Sequence, residues 1–292
     1  MKKALVFGEV LWDVFGAEKT IGGAPFNFAA HFAALGGEAV FCSAVGRDAL
    51  GREARARVKQ LRVDDSLTAD SDLPTGACQV TLGTDGQPRY QLLENVAYDA
   101  IQLPDEPVQA DLLYLGTLAR RSAFSRETAA KLACSGSFGE VFVDINVRRP
   151  FIDREVVEES LQSATILKLS REEAGCLTEF GLLPEQKDEE ALARALTAAY
   201  PRLRLILITL DKDGALAYDA RNAVCIRSRK PESTLVSAVG AGDRFSACFA
   251  WNWLNGRSAE ECLNRGVLLS DYVVTQLGAV PEIPAALLEQ IQ

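Results

Sequence analysis

The chain has 292 residues, 48% of them hydrophobic, and a net charge of −9. That length can bury a large core and suits a single α/β domain spanning 1–292 with a small appendage. The acidic balance, unbroken by any basic cluster, argues against nucleic-acid binding, and no apolar run is long enough to cross a membrane.

The opening Met1-Lys2-Lys3-Ala4-Leu5-Val6-Phe7-Gly8-Glu9 reads as a short strand broken by Gly and Glu, not as a signal peptide, so a cytoplasmic protein is expected. Further apolar runs at 39–45, 112–118, 141–145, 165–169 and 203–210 predict buried strands. Helical patterns alternate with them: an amphipathic helix at 48–61 and another at 125–134. An apolar helix follows at 245–254. Capping-box spacing at Ser258-Ala259-Glu260-Glu261 starts another that runs to about 276. Continuous apolar strands between helices predict a mostly parallel sheet covered on both faces. Residues 73–100 break the rhythm. There, 77–82 and 89–94 alternate like half-buried strands around a hairpin turn at Thr84-Asp85-Gly86. They predict a small projecting sheet, completed by strands within about 10–22.

The seven cysteines include no Cys-x-x-Cys pair and there is one histidine, His31, so zinc and Cys-His or Ser-His nucleophiles are not expected. Catalysis would fall to carboxylates, backbone dipoles and cations. Val239-Gly240-Ala241-Gly242-Asp243 precedes an apolar helix. Such a start leaves N–H groups unpaired and carries partial positive charge, which suits a phosphoryl group. A carboxylate at that mouth can take a proton from a hydroxyl; close packing is the plainer alternative. In Gly22-Gly23-Ala24-Pro25-Phe26-Asn27, small residues again open a helix, now with an amide that can donate and accept toward a polyol. A tight turn with a capping Asn would read the same way. Asp13 follows the first strand, as a sugar acceptor or as a solvated loop residue.

Together these segments carry a resemblance. Gly8-Glu9-Val10-Leu11-Trp12-Asp13, Gly22-Gly23-Ala24-Pro25-Phe26-Asn27, Val45-Gly46-Arg47-Asp48-Ala49-Leu50-Gly51 and Val239-Gly240-Ala241-Gly242-Asp243 are similar, in order and spacing, to the ribokinase-type (PfkB) carbohydrate kinases. Glu94-Asn95-Val96-Ala97-Tyr98-Asp99, Asp144-Ile145-Asn146-Val147-Arg148 and Thr275-Gln276-Leu277-Gly278-Ala279 resemble the fructokinase branch. The resemblance implies a ribokinase-like three-layer α/β sandwich with a small β lid, here about 10–22 and 73–100. It implies transfer of the γ-phosphoryl group of ATP to fructose or a related sugar. Asp243 would be the base, and Gly240, Ala241 and Gly242 the anion hole. Asp13, Gly22, Gly23, Asn27, Asn95 and Arg148 would face the sugar. Lys168, Thr209, Asp211, Gly214 and Arg244 would face the nucleotide. Magnesium would be reached by Glu173 through water, with Asp144 a further metal candidate. A homodimer through the lid is also implied.

The departures lie on the nucleotide and cation side. Ser237-Ala238 stands where the family carries Asp-Thr, and Ser237 cannot supply the charge that holds a monovalent cation, so a potassium requirement is in question. Ser170 replaces the Asn of the family's Asn-x-x-Glu, and Asp211 replaces a Gly. A carboxylate about 6 Å from a triphosphate charge would repel it by roughly 3 kcal/mol at an effective dielectric near 20. Arg244 stands where a small residue is common. Two further readings therefore stay open: a catalytically weak sugar-binding protein, and a kinase of the same family for a ketodeoxy sugar acid or a nucleoside. A nucleoside kinase would use stacking aromatics such as Tyr90 or Tyr98, which read equally well as core of the lid.

Overall fold

The computed structural model describes residues 1–82, 88–231, 240–276 and 280–292. The expected hairpin turn at 84–86, Ser237, Ala238 and Val239, and 277–279 lie outside them. From the N-terminus, β1 (Lys3–Phe7) is followed by β2 (Leu11–Phe15), β3 (Glu18–Gly22), α1 (Ala24–Ala34), β4 (Glu38–Gly46), α2 (Ala49–Gln60) and β5 (Thr68–Ser71). Next come β6 (Gly76–Leu82), β7 (Pro88–Leu92), β8 (Gln109–Leu115), α3 (Ala123–Ser135), β9 (Ser137–Asp144), α4 (Arg154–Ser163) and β10 (Ile166–Ser170). The chain continues through α5 (Gly175–Glu179), α6 (Glu189–Ala199), β11 (Leu205–Thr209), β12 (Ala215–Asp219) and β13 (Val224–Arg227). It ends with α7 (Ala241–Leu254), α8 (Ala259–Val273) and α9 (Ala285–Ile291).

Nine strands form the large sheet in the order β13-β12-β11-β10-β9-β8-β1-β4-β5, and four form the small one, β3-β2-β6-β7. From β5 to β11 the pairing is parallel; β12 and β13 run antiparallel at one edge. The apolar runs explain the interior position of the central strands, because a strand covered on both faces needs no polar alternation. Alternate residues divide between two cores. Val6, Phe41, Tyr114 and Phe142 pack with Phe28, Phe245 and Phe249 of α1 and α7. Leu5, Leu113, Val143 and Leu167 pack with the helices of the opposite face, among them Val157 of α4 and Leu196 of α6. Val6 lies in register with Phe41 on one side and Tyr114 on the other.

The strand expected at 112–118 ends at Leu115, because 118–121 curl into a single 3-10 turn. Thr117 Oγ1 fixes that exit by donating to the Ile145 carbonyl at 2.6 Å. The last long helix stops at Val273, short of the expected 276. No described helix is long and apolar enough to cross a membrane. Tyr98 is buried with its ring edge against Gly76, so it packs the root of the small sheet and is not presented for stacking.

One polar knot fastens that root to the large sheet. Asp48 caps α2 by accepting from Gly51 N at 2.7 Å, and takes both Thr75 N (2.8 Å) and Thr75 Oγ1 (2.6 Å). Thr75 Oγ1 also accepts from Gly46 N at the end of β4. Asp48→Ala is expected to cost about 1–3 kcal/mol, the sum of a lost cap and a partly buried N–H left unpaired. Urea denaturation checks this; an unchanged midpoint would contradict it.

Candidate active site

The carboxyl ends of parallel strands leave a crevice in open α/β sheets. Here the N-termini of α1 and α7 both point into it. Gly240 caps α7 with φ +72°, a conformation that a side chain would strain, and it turns the chain so that Ala241 and Gly242 offer their N–H groups. Asp243 sits in the first turn, 7% exposed. Its Oδ2 accepts a 2.8 Å hydrogen bond from Asn27 Nδ2 in the first turn of α1. Asn27 is itself buried, and its Oδ1 has no hydrogen-bond partner among the described residues. Burial raises the Asp243 carboxyl above the ordinary value; the Asn27 bond and the charges of Lys168, Arg148 and Arg244 pull it back.

The expected sugar-side residues largely converge beside this pair. Gly23 turns with φ +113° so closely over the chain after β1 that an added Cβ would lie 2.6 Å from the Glu9 carbonyl. At Gly22 an added Cβ would lie 3.5 Å from Asp13 Oδ2, so the β2–β3 hairpin brings both together. Asp13 is half-buried. Desolvation raises its carboxyl, while Cys78, its neighbour on β6, and Arg148 oppose that. Arg148 is exposed in the loop after β9, and its positive charge lowers the carboxyls of Glu9, Asp13 and Asp243. Asn95 is elsewhere. Held at φ +56°, it lines a second cleft of about 380 Å³ with Asp99, Arg121 and Phe151.

On the other side of α7's first turn lies a cleft of about 390 Å³ whose lining includes Thr209, Asp211, Gly214, Ala241, Gly242 and Phe245. Asp211 takes the left-handed φ of +52° in which Asp is among the better-tolerated residues, and its carboxylate is exposed. Water therefore screens much of the repulsion expected from sequence.

Arg244 corrects a sequence expectation. It does not line this cleft; it is 1% exposed, and Nη2 lies 3.5 Å from where a Gly240 Cβ would sit. The side chain has folded back under the Gly240 turn. Burial lowers its guanidinium to about 10, opposed by Asp243, so it stays charged at neutral pH. Asp144 also differs from expectation. It is fully buried, with Oδ1 taken by Lys168 Nζ at 3.0 Å and Oδ2 by Ser246 Oγ at 3.1 Å, so both oxygens are already engaged within the protein.

Glu173 Oε1 accepts from Val147 N (2.8 Å) and Oε2 from Ser170 N (2.7 Å), while Ser170 Oγ accepts from Glu173 N. Ser170 thus closes the turn locally. Among the described residues no group of three acids, cysteines or histidines could hold a metal. Both Glu173 oxygens are held by backbone N–H groups, and exposed Glu172 lies on the cleft wall.

Two site features are not readable from local sequence. Glu9 is buried, and desolvation raises it to about 7; its Oε2 has no hydrogen-bond partner among the described residues, and Asp243 adds to the upward push. Ser270 of α8 donates to the Ala241 carbonyl at 3.0 Å and steadies the first turn of α7. The only sequence signal for Glu9 is a charged residue directly after an apolar strand.

Asn27→Ala removes the bond that opposes burial at Asp243, so the Asp243 carboxyl is expected to titrate at higher pH in the variant. Carboxyl carbon NMR resolves this, and an unmoved titration would contradict the pairing.

Residues 1–286 match the model of the pfkB family carbohydrate kinases. The chain is 27% identical over 298 residues to the probable fructokinase-6, chloroplastic, of Arabidopsis thaliana, covering 95% of this chain and 75% of that protein. It is also 27% identical over 304 residues to the probable fructokinase-4 of the same plant, covering 96% and 89%. Among solved structures, the fructokinase of Vibrio cholerae O395 in its fructose, ADP and calcium ion bound form superposes with a TM-score of 0.81 at 20% identity, over 100% of this chain and 99% of that one. The aminoimidazole riboside kinase of Salmonella enterica, complexed with aminoimidazole riboside and an ATP analogue, gives 0.81 at 22% identity and full coverage of both chains. Both share the ribokinase-like fold: one large, mostly parallel sheet between helices and a small second sheet.

Proposed function

Since the chain belongs to the pfkB family of carbohydrate kinases and is a sugar kinase, we propose that it transfers the γ-phosphoryl group of ATP to a hydroxyl of fructose or a related sugar. The observation that carries this reading is the buried Asn27–Asp243 pair at a helix mouth, with the cleft of Ala241 and Gly242 on one side and Asp13 on the other. Asp13, Gly22, Gly23, Asn27 and Arg148 receive the sugar. The free Oδ1 of Asn27 is an acceptor for one of its hydroxyls. Thr209, Asp211 and Gly214 border the nucleotide.

In the reaction, the sugar hydroxyl oxygen bonds to the γ-phosphorus and its proton passes to Asp243. The bond from phosphorus to the β,γ-bridging oxygen breaks, and ADP departs with the electron pair. The N–H groups of Ala241 and Gly242 meet the charge that grows on the transferring oxygens, in an orientation set before the reaction begins. A magnesium ion carried by the nucleotide would spread charge over the β- and γ-phosphates, with Glu173 and Glu172 at its water shell. The small sheet acts as a lid that excludes water, the competing acceptor. A homodimer formed through that lid belongs to the same reading.

Coupled ADP release with Mg-ATP and a panel of ketoses, sugar acids and nucleosides tests the reading. Turnover with fructose or a close relative is expected, and Asp243→Asn should lower kcat by about a hundredfold or more. Exchange of potassium for sodium should change the rate little, because Ser237 carries no charge. Sugar-dependent thermal stabilisation without turnover would instead support a binding protein. The pH profile carries a sign. Burial holds the Asp243 carboxyl above its ordinary value, and only the ionised form accepts the proton. The rate kcat/KM is therefore expected to fall on acidification at a pH above the usual carboxylate range. A rate flat down to that range would contradict the assignment of the base.

A further inference from the structure

We propose that Asp144 and Ser246 are positioning residues that hold the Lys168 ammonium against Gly242, so that a fixed positive charge backs the phosphoryl-binding turn of α7. The inference rests on the kinase reading and extends it to three buried side chains.

Asp144 and Lys168 are register neighbours on β9 and β10, so their side chains leave the same face of the sheet, the one that α7 covers. The ammonium meets Asp144 Oδ1 at 3.0 Å. It also lies 2.9 Å from where a Gly242 Cβ would be, beside the turn that carries the Gly242 N–H group. A lysine stem has four rotatable bonds and would not keep its charge at one point unaided. Asp144 restrains it, and Ser246 restrains Asp144 by filling the second carboxylate oxygen from α7 itself. The helix that presents the anion-binding N–H groups thus also anchors the carboxylate that anchors the ammonium.

The surroundings argue against a purely structural pair. Both side chains are buried on the sheet face that carries the apolar cluster of Phe142 and Phe245, and a buried ion pair is weak evidence for stability. Gly242 itself lines the cleft. A side chain at that position would have to displace the ammonium. Burial pulls the ammonium down, while Asp144 and Glu173 more than compensate, so Lys168 stays charged.

The test compares the full-length protein with Lys168→Met, Asp144→Asn, Ser246→Ala and the Lys168→Met, Asp144→Asn double variant. Sugar-dependent ADP release, calorimetric Mg-ATP binding and thermal melting are measured on the same preparations. Lys168→Met is expected to lower kcat by about a hundredfold with the sugar KM within about threefold of wild type. Asp144→Asn should approach that loss. Ser246→Ala, which removes one hydrogen bond and leaves both charges, should lose about three- to tenfold. The double variant should be no worse than Lys168→Met, since residues that act as one unit are not additive. Losses that multiply in the double variant, or a folded Asp144→Asn with wild-type kcat, would overturn the proposal. If the wild type turns over no sugar, the kinase reading falls, and the binding measurements decide the positioning claim alone. Lys168→Met and Asp144→Asn must then weaken Mg-ATP by the same factor; unequal or absent losses overturn it.

Discussion

The hydrogen bond from Asn27 to Asp243 joins two helix N-termini that are 216 residues apart in the chain. It can form only if α1 and α7 lie side by side on one face of the sheet with their starts level. The aromatic packing of Phe28, Tyr114, Phe142, Phe245 and Phe249 between those helices and the strands holds them so. Everything else in the crevice is arranged about that bond. The β2–β3 hairpin brings Asp13 from one side, and the cleft of Thr209 and Gly214 opens on the other. Two dipoles of the same sense meeting at one point would repel each other without a negative charge between them, and Asp243 supplies it.

The site is also a balance of buried charge. Glu9, Asp144 and Asp243 face Lys168 and Arg244 within a region nearly closed to water, with Arg148 at its rim. Opposite charges 3 Å apart attract by about 5 kcal/mol at an effective dielectric near 20. Removing each ion from water costs several kcal/mol, so such a pair is near neutral for stability. Its presence is better explained by what it does to the turn beside it. Arg244 fits the same pattern. A cation in the first turn of a helix opposes the dipole, yet here it lies under Gly240 beside Asp243 and offsets the base's charge from within.

The sequence makes parts of this legible for definite reasons. Small residues followed by Asp243 or Asn27 announce helix starts because only such residues let unpaired N–H groups face a ligand. The apolar runs disclose the parallel sheet because both faces are covered, and the alternation at 77–82 discloses the smaller one. Asp144 and Lys168 are different. Taken singly, one suggests a metal ligand and the other a phosphate contact. Their pairing depends on β9 and β10 being register neighbours, which no local pattern encodes. The direction taken by Arg244 and the burial of Glu9 are likewise tertiary facts. The edge strand β13 is short and partly exposed, so periodicity is weak there.

The central claim is that the first turn of α7 is where sugar and nucleotide meet. The most direct measurement is a crystal structure of the full chain with fructose and a non-hydrolysable ATP analogue. The account predicts a sugar hydroxyl within hydrogen-bond distance of Asp243 and a γ-phosphate on the N–H groups of Ala241 and Gly242. A nucleotide seated away from that turn, or a sugar whose hydroxyls all miss Asp243, would contradict it.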